Sequence, residues 1–153
     1  MRISVVLSTL AVAAIASTQA SAADWQPVAS AGNERVEIDK SGILRTAQGK
    51  TSAWTRLELG REVTEDGIRY SAVQTMNHYD CAAKTFSTVR RVYLLGAKVV
   101  REESVSRPKE MSISAGSVDE RLLTEACKPR TVGEAHKTAE AAAKAVAAKL
   151  TSM

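Results

Sequence analysis

The chain has 153 residues, 44% of them hydrophobic and only 4% aromatic, with 21 basic against 17 acidic side chains. That length suits one compact domain able to bury a real core. The net charge of +4 does not mark a nucleic-acid binder, because residues 23–127 carry 15 basic and 15 acidic side chains. The surplus falls after Cys127, where Lys128, Arg130, Lys137, Lys144 and Lys149 outnumber Glu134 and Glu140. A neutral body with no basic stripe interleaved with aromatics argues against a nucleic-acid partner.

Residues 1–22 have the form of a signal peptide: Met1-Arg2 supplies a positive start, Ile3 to Ala16 is an almost unbroken apolar run, and Ala20-Ser21-Ala22 is an A-x-A cleavage site. The run of 14 residues is shorter than the roughly 20 that a membrane-spanning helix needs, and no second apolar segment follows. The expectation is an exported protein, in the periplasm, at the cell surface or secreted, with a mature domain over residues 23–130. No Cys stands near the cleavage site to take a lipid anchor.

Residues 34–104 read as strands, since apolar and polar side chains alternate and turn residues recur between the runs. Arg35 to Asp39 alternates and meets a turn at Lys40-Ser41-Gly42, before Ile43-Leu44-Arg45. Thr51 to Leu59 puts Ala53, Thr55, Leu57 and Leu59 on one side, with Trp54 and Arg56 on the other. Gly60 weakens that strand, and Glu65-Asp66-Gly67 is a strong hairpin signal. Ile68 to Tyr79 places Ile68, Tyr70, Ala72 and Met76 on one face; Thr85 to Leu95 and Lys98 to Ser104 follow, separated by Gly96. Both faces carry apolar residues, so the periodicity leaves the core face open.

The period changes at Ser117. Ser117-Val118-Asp119-Glu120 is a capping box, and Val118, Leu122 and Ala126 then fall on one helical stripe, with Leu123 beside them and Cys127 in the last turn. Lys128-Pro129 ends this helix. Val132 to Met153 is a different kind of segment: Glu140 and Lys144 pair at i,i+4 among alanines, which favours helix without demanding a core. The expected fold is α+β, an antiparallel sheet of about six strands with a C-terminal helix, plus an Ala/Lys-rich helical tail over residues 131–153. Cys81 and Cys127 are the only cysteines, and an even count in an exported chain favours a disulfide. Closing a loop of 46 residues stabilises by roughly 4 kcal/mol on the chain-entropy account.

Catalytic constellations are missing from the pattern. His78 lies near Asp80 and Cys81, but successive strand positions point to opposite faces, and His136 has no second metal ligand at i+3 or i+4. Glu65-Asp66 and Glu102-Glu103 read as solvated charge at a turn and a strand end. No nucleophile elbow, P-loop or H-E-x-x-H motif occurs. The expectation is a protein that is not an enzyme, with no metal and no cofactor. Interfaces favour Trp, Tyr and Arg, which singles out Trp54, Arg90, Arg91 and Tyr93 as binding candidates; a core role for Trp54 is equally compatible with its strand.

The order of these features resembles the surface-adhesin protein E-like family of Gram-negative envelope proteins. The resemblance rests on Trp25 soon after cleavage, Ile38-Asp39-Lys40-Ser41-Gly42-Ile43, Trp54, Tyr79-Asp80-Cys81, the Arg90 to Gly96 strand, and Gly116-Ser117-Val118 opening a helix that ends at Cys127. It spans residues 25–127 and leaves the tail outside. Met111-Ser112-Ile113 stands where the family pattern has an aromatic, and the family's named adhesin is lipid-anchored. The resemblance implies a sheet of about six strands with the helix tied to it by the disulfide. It also implies a protein ligand of the extracellular-matrix or host-surface type, and a homodimer. A periplasmic binder, such as a hydrolase inhibitor or envelope-maintenance factor, is the alternative reading.

Overall fold

The computed structural model of the protein describes residues 22–46 and 48–129. Its main body is one antiparallel meander. Strands β1 (Trp25–Ala31), β2 (Glu34–Asp39), β4 (Lys50–Glu65), β5 (Ile68–Asp80), β6 (Thr85–Leu95) and β7 (Lys98–Ser104) lie side by side in that order. Two short strands complete existing ladders: β3 (Leu44–Arg45) pairs with β4, and β8 (Met111–Ser112) pairs with β6. The one helix among the described residues, α1 (Val118–Cys127), packs on one face. The Ala/Lys-rich tail expected over residues 131–153 lies outside the described residues.

Local chemistry explains the connections. Glu65 pairs directly with Ile68, so Asp66-Gly67 forms a two-residue turn with φ of 49° and 77°. Asp tolerates and Gly favours this left-handed backbone, whose twist matches that of the flanking strands. At Gly60 (φ +64°) a Cβ would stand 2.4 Å from the Asn33 carbonyl oxygen. Only glycine lets β4 pass the β1–β2 turn that closely, and β4 takes its register shift between Glu58 and Val63 beside it. The Asp80 carboxylate accepts from the amides of Ala82 and Ala83 at 3.1 and 2.9 Å, closing the β5–β6 turn.

The helix starts as its sequence predicts. Ser117 is the N-cap and its hydroxyl accepts from the Glu120 amide at 3.1 Å, while the Glu120 carboxylate accepts from the Gly116 amide at 2.7 Å. Its far end is held by three devices. The Cys81–Cys127 disulfide joins it to the β5–β6 turn, with Cα atoms 5.9 Å apart. The Arg45 guanidinium donates to the carbonyls of Cys127 and Lys128 at 2.6 and 2.7 Å, satisfying orphan acceptors at the helix end. Glu125 is paired with both Lys40 and Lys128, which holds its carboxyl below the ordinary value of 4.5, Lys128 contributing most. The core beneath is Ile38, Ile43, Ala53, Tyr79, Leu122, Leu123 and Ala126.

Strand β1 differs from the expectation, β8 adds to it, and in β5 the structure decides a face that the periodicity leaves open. Trp25–Ala31 is a strand although Pro27 interrupts its pattern; it lies at the sheet edge, where a missing amide is tolerated, and its ladder with β2 shifts register between Pro27 and Ala29. In β5 the helix-covered positions are Asn77 and Tyr79, not the apolar set that includes Met76, whose partner in the ladder is Trp54.

Candidate functional site

The strand registers arrange the helix-side face into rows that run across the sheet. One row reads Val36, Leu57, Val73, Tyr93 and Arg101; the next reads Ile38, Thr55, Thr75, Arg91 and Glu103. A third holds Ala53, Asn77 and Thr88, and a fourth holds Thr51, Tyr79, Phe86 and Met111. Helix α1 packs against β1, β2, β4 and β5, covering Ile38, Ala53 and Tyr79 and leaving the β6–β7 side of the face open. Between the first turn of α1, at Val118 and Asp119, and the aromatic pair Tyr70 and Tyr93 runs a groove of about 390 Å³.

Its floor is a polar network framed by apolar side chains. Thr55 and Thr75 hydroxyls meet at 2.7 Å, and the Asn77 amide donates to Thr55, Thr75 and the Tyr79 hydroxyl at 3.2, 3.2 and 3.3 Å. Thr88 donates back to Asn77 Oδ1 at 2.8 Å. Asn77 is 4% exposed, so this satisfaction is what makes its burial affordable. Burial pushes the Tyr79 phenol up to about 12, with the nearby Asp119 charge adding to the shift and the Asn77 hydrogen bond opposing it.

The open end is aromatic and charged. Tyr70 and Tyr93 meet edge to face at 5.1 Å. Tyr70 donates to Glu65 at 2.7 Å, and that bond, with burial, pushes its phenol up to about 12. The Arg101 guanidinium lies over the Tyr93 ring at 5.2 Å and pairs with Glu103. Burial, then the Glu103 charge, raises the Tyr93 phenol, and Arg91 opposes the rise. Arg91 is half-buried. Its guanidinium has no hydrogen bond and no ion pair among the described residues.

The four binding candidates separate. Arg91 and Tyr93 line the groove. Arg90 and Trp54 fall on the opposite face, because β6 shifts register between its pairs with Met76 and Asn77, and because Trp54 alternates with the buried Ala53 and Thr55. Cations on that outer face are neutralised: Arg90 pairs with Glu102, Arg56 with Glu37 at 2.5 Å, and Arg35 with Glu58 at 2.5 Å. Arg56 also stacks over Trp25 at 4.4 Å.

Sequence reasoning missed the hydroxyl–amide floor. Its signal was the shared parity of Val73, Thr75, Asn77 and Tyr79, which puts them on one face.

His78, Ser87 and Asp80 line a separate pocket of about 180 Å³ with Lys50 and Glu110. His78 is exposed and no hydrogen bond joins it to Ser87 or Asp80. Among the described residues no group of three His, Cys, Asp or Glu side chains is placed to hold a metal ion, and no helix is long and apolar enough to cross a membrane.

Comparison with known proteins places these features. The profile of the family described as surface-adhesin protein E matches residues 25–128. Among curated proteins none is a significant match. Several solved structures are similar, among them the following two. Crystal form II of Haemophilus influenzae protein E aligns at 12% identity over 70% of this chain and 96% of that one, with a TM-score of 0.48. Protein E from non-typeable Haemophilus influenzae aligns at 11% identity over 72% and 79%, with a TM-score of 0.51. At such identities the likeness is one of fold.

Proposed function

Because the chain belongs to the surface-adhesin protein E family, we propose that it is an exported, non-enzymatic binding protein whose ligand is a protein of the extracellular-matrix or host-surface type. The observation that carries this reading is the family match over residues 25–128, nearly the whole of the described domain. On this reading residues 1–22 direct export, residues 23–130 form the binding domain, and the groove containing Arg91 and Tyr93 is its recognition surface. A partly apolar groove with a few placed polar groups suits recognition better than chemistry. Fold alone does not carry function, so the test is direct. Mature protein titrated over immobilised matrix and serum proteins is expected to bind at least one of them saturably. No saturable signal across the series sinks the reading.

Display is tested separately by adding protease to intact cells beside a periplasmic marker. Cleavage with the marker intact is the expected result for an adhesin. Survival of both until the outer membrane is opened assigns the protein to the periplasm and turns the search to partners there.

A further inference from the structure

The groove floor carries donors that no acceptor beside them receives. Arg91 has no anionic partner among the described residues, although its cross-strand neighbour is Glu103. That carboxylate is already committed to Arg101 and to the Tyr93 hydroxyl at 3.4 Å. In the Thr55–Thr75 pair one hydroxyl donates to the other, so the accepting hydroxyl keeps its own hydrogen to give; Asn77 Oδ1 receives from Thr88. Half-buried surplus donors at a groove floor call for an acceptor-rich ligand, and a guanidinium matches a carboxylate in geometry as well as charge.

The row beside Arg91 sets the rest of the ligand. Tyr93, Val73, Leu57 and Val36 form a mainly apolar stripe across four adjacent strands. Strands are about 4.8 Å apart, so the stripe is about 14 Å long and matches an extended segment of about five residues at roughly 3.3 Å each. In such a segment alternate side chains face the sheet. A carboxylate over Arg91 therefore places the residue two positions on between Val73 and Leu57, and the residue four positions on against Val36. Acidic groups on the rim restrict where the carboxylate can go: Glu65, which holds the Tyr70 hydroxyl, and Asp119, in the first turn of α1. Like charge penalises a carboxylate at either place, which leaves the position over Arg91 as the favourable one. The chain's own last segment is poorly matched, since residues 130–153 contain Arg130, Lys137, Lys144 and Lys149 against Glu134 and Glu140.

We propose that the groove recognises an extended segment of a partner protein bearing one carboxylate with apolar residues at every second position beside it, Arg91 pairing the carboxylate. This deepens the binding-protein reading and rests on it.

The test is a double-mutant cycle with mature protein and two labelled probes, acetyl-Glu-Thr-Val-Thr-Val-amide and its Gln counterpart. Binding of the Glu probe is expected to weaken about 10- to 100-fold on Arg91→Gln, the range for a hydrogen-bonded charged group. The Gln probe should bind both proteins alike, and Arg90→Gln on the outer face should leave the Glu probe unaffected. Equal binding of both probes to the wild type, or a Glu probe indifferent to Arg91→Gln, overturns the proposal. So does a probe that binds only after residues 130–153 are removed, which assigns the groove to the tail. Self-association abolished by Arg91→Gln overturns it too, assigning the groove to a second copy. If matrix proteins bind saturably but Arg91→Gln leaves them unchanged, the groove assignment fails while the broader function stands. If no matrix protein binds yet the cycle holds, the reverse is true.

Discussion

The two halves of the helix-side face are built by the same strands and differ in what lies over them. On the covered half, Ile38, Ala53 and Tyr79 meet Leu122, Leu123 and Ala126, and the one polar side chain buried deep in β5, Asn77, has its hydrogen bonds supplied by neighbours. On the open half, Val73, Arg91 and Tyr93 continue those strands with no second layer above them among the described residues. The comparison teaches that ten residues of helix divide one sheet face into a covered part and an open part. A cation left without a partner is destabilising under a helix, whereas beside a groove it is available to a ligand.

If the helix makes this division, releasing it should cost the most. Cys127→Ser is expected to lower stability by about 2 to 5 kcal/mol, read from denaturant midpoints of wild type and variant. Reductant should bring the wild type to the same midpoint; identical midpoints with and without it would mean that the disulfide does not hold the helix.

The next contrast sets one residue from each half side by side. Leu122→Ala should cost about 2 to 5 kcal/mol because it opens a cavity in the covered core. Val73→Ala, half-exposed in the open stripe, should cost about 1 kcal/mol or less. Equal losses would show that the open half is covered in solution.

The smallest effect concerns the ion pairs at the far end of the helix. Glu125 is held below its ordinary value of 4.5 by Lys128 and Lys40, so its contribution to stability is present above that value and is lost as pH falls through the lowered one. The side chain is 26% exposed, and solvent screening limits the contribution to under about 1 kcal/mol. Glu125→Gln should flatten the acid side of the stability profile by that amount, measured by urea unfolding between pH 6 and pH 3 at the approximate limits of carboxylate titration.

How much was legible follows the range of the interactions. The Asp66-Gly67 turn and the Ser117 cap are set within four residues, and both stand where the sequence places them. The cysteine pairing was readable from the even count, two cysteines allowing one bridge. Strand β1 was not, because Pro27 and the small residues of Trp25–Ala31 erase the alternation, and its pairing with β2 supplies what the local pattern lacks. Strand β8 is two residues long and exists only because β6 offers it a free edge. Arg90 and Arg91 show the limit for the site: adjacent in sequence, they end on opposite faces with opposite surroundings, one paired with Glu102 and one unpaired among the described residues.

By itself the sequence determined the elements whose signals are local: alternation in the central strands, the two-residue turn, the capped helix and the even cysteine count. Only the tertiary structure decided which face of β5 is core, where the helix stops covering the sheet, and which arginine has no ion-pair partner among the described residues. A period of two distinguishes two faces and assigns neither to the inside. That assignment belongs to the helix, which reaches the sheet from 38 residues beyond the end of β5 and buries whichever face the disulfide and Arg45 anchor it against.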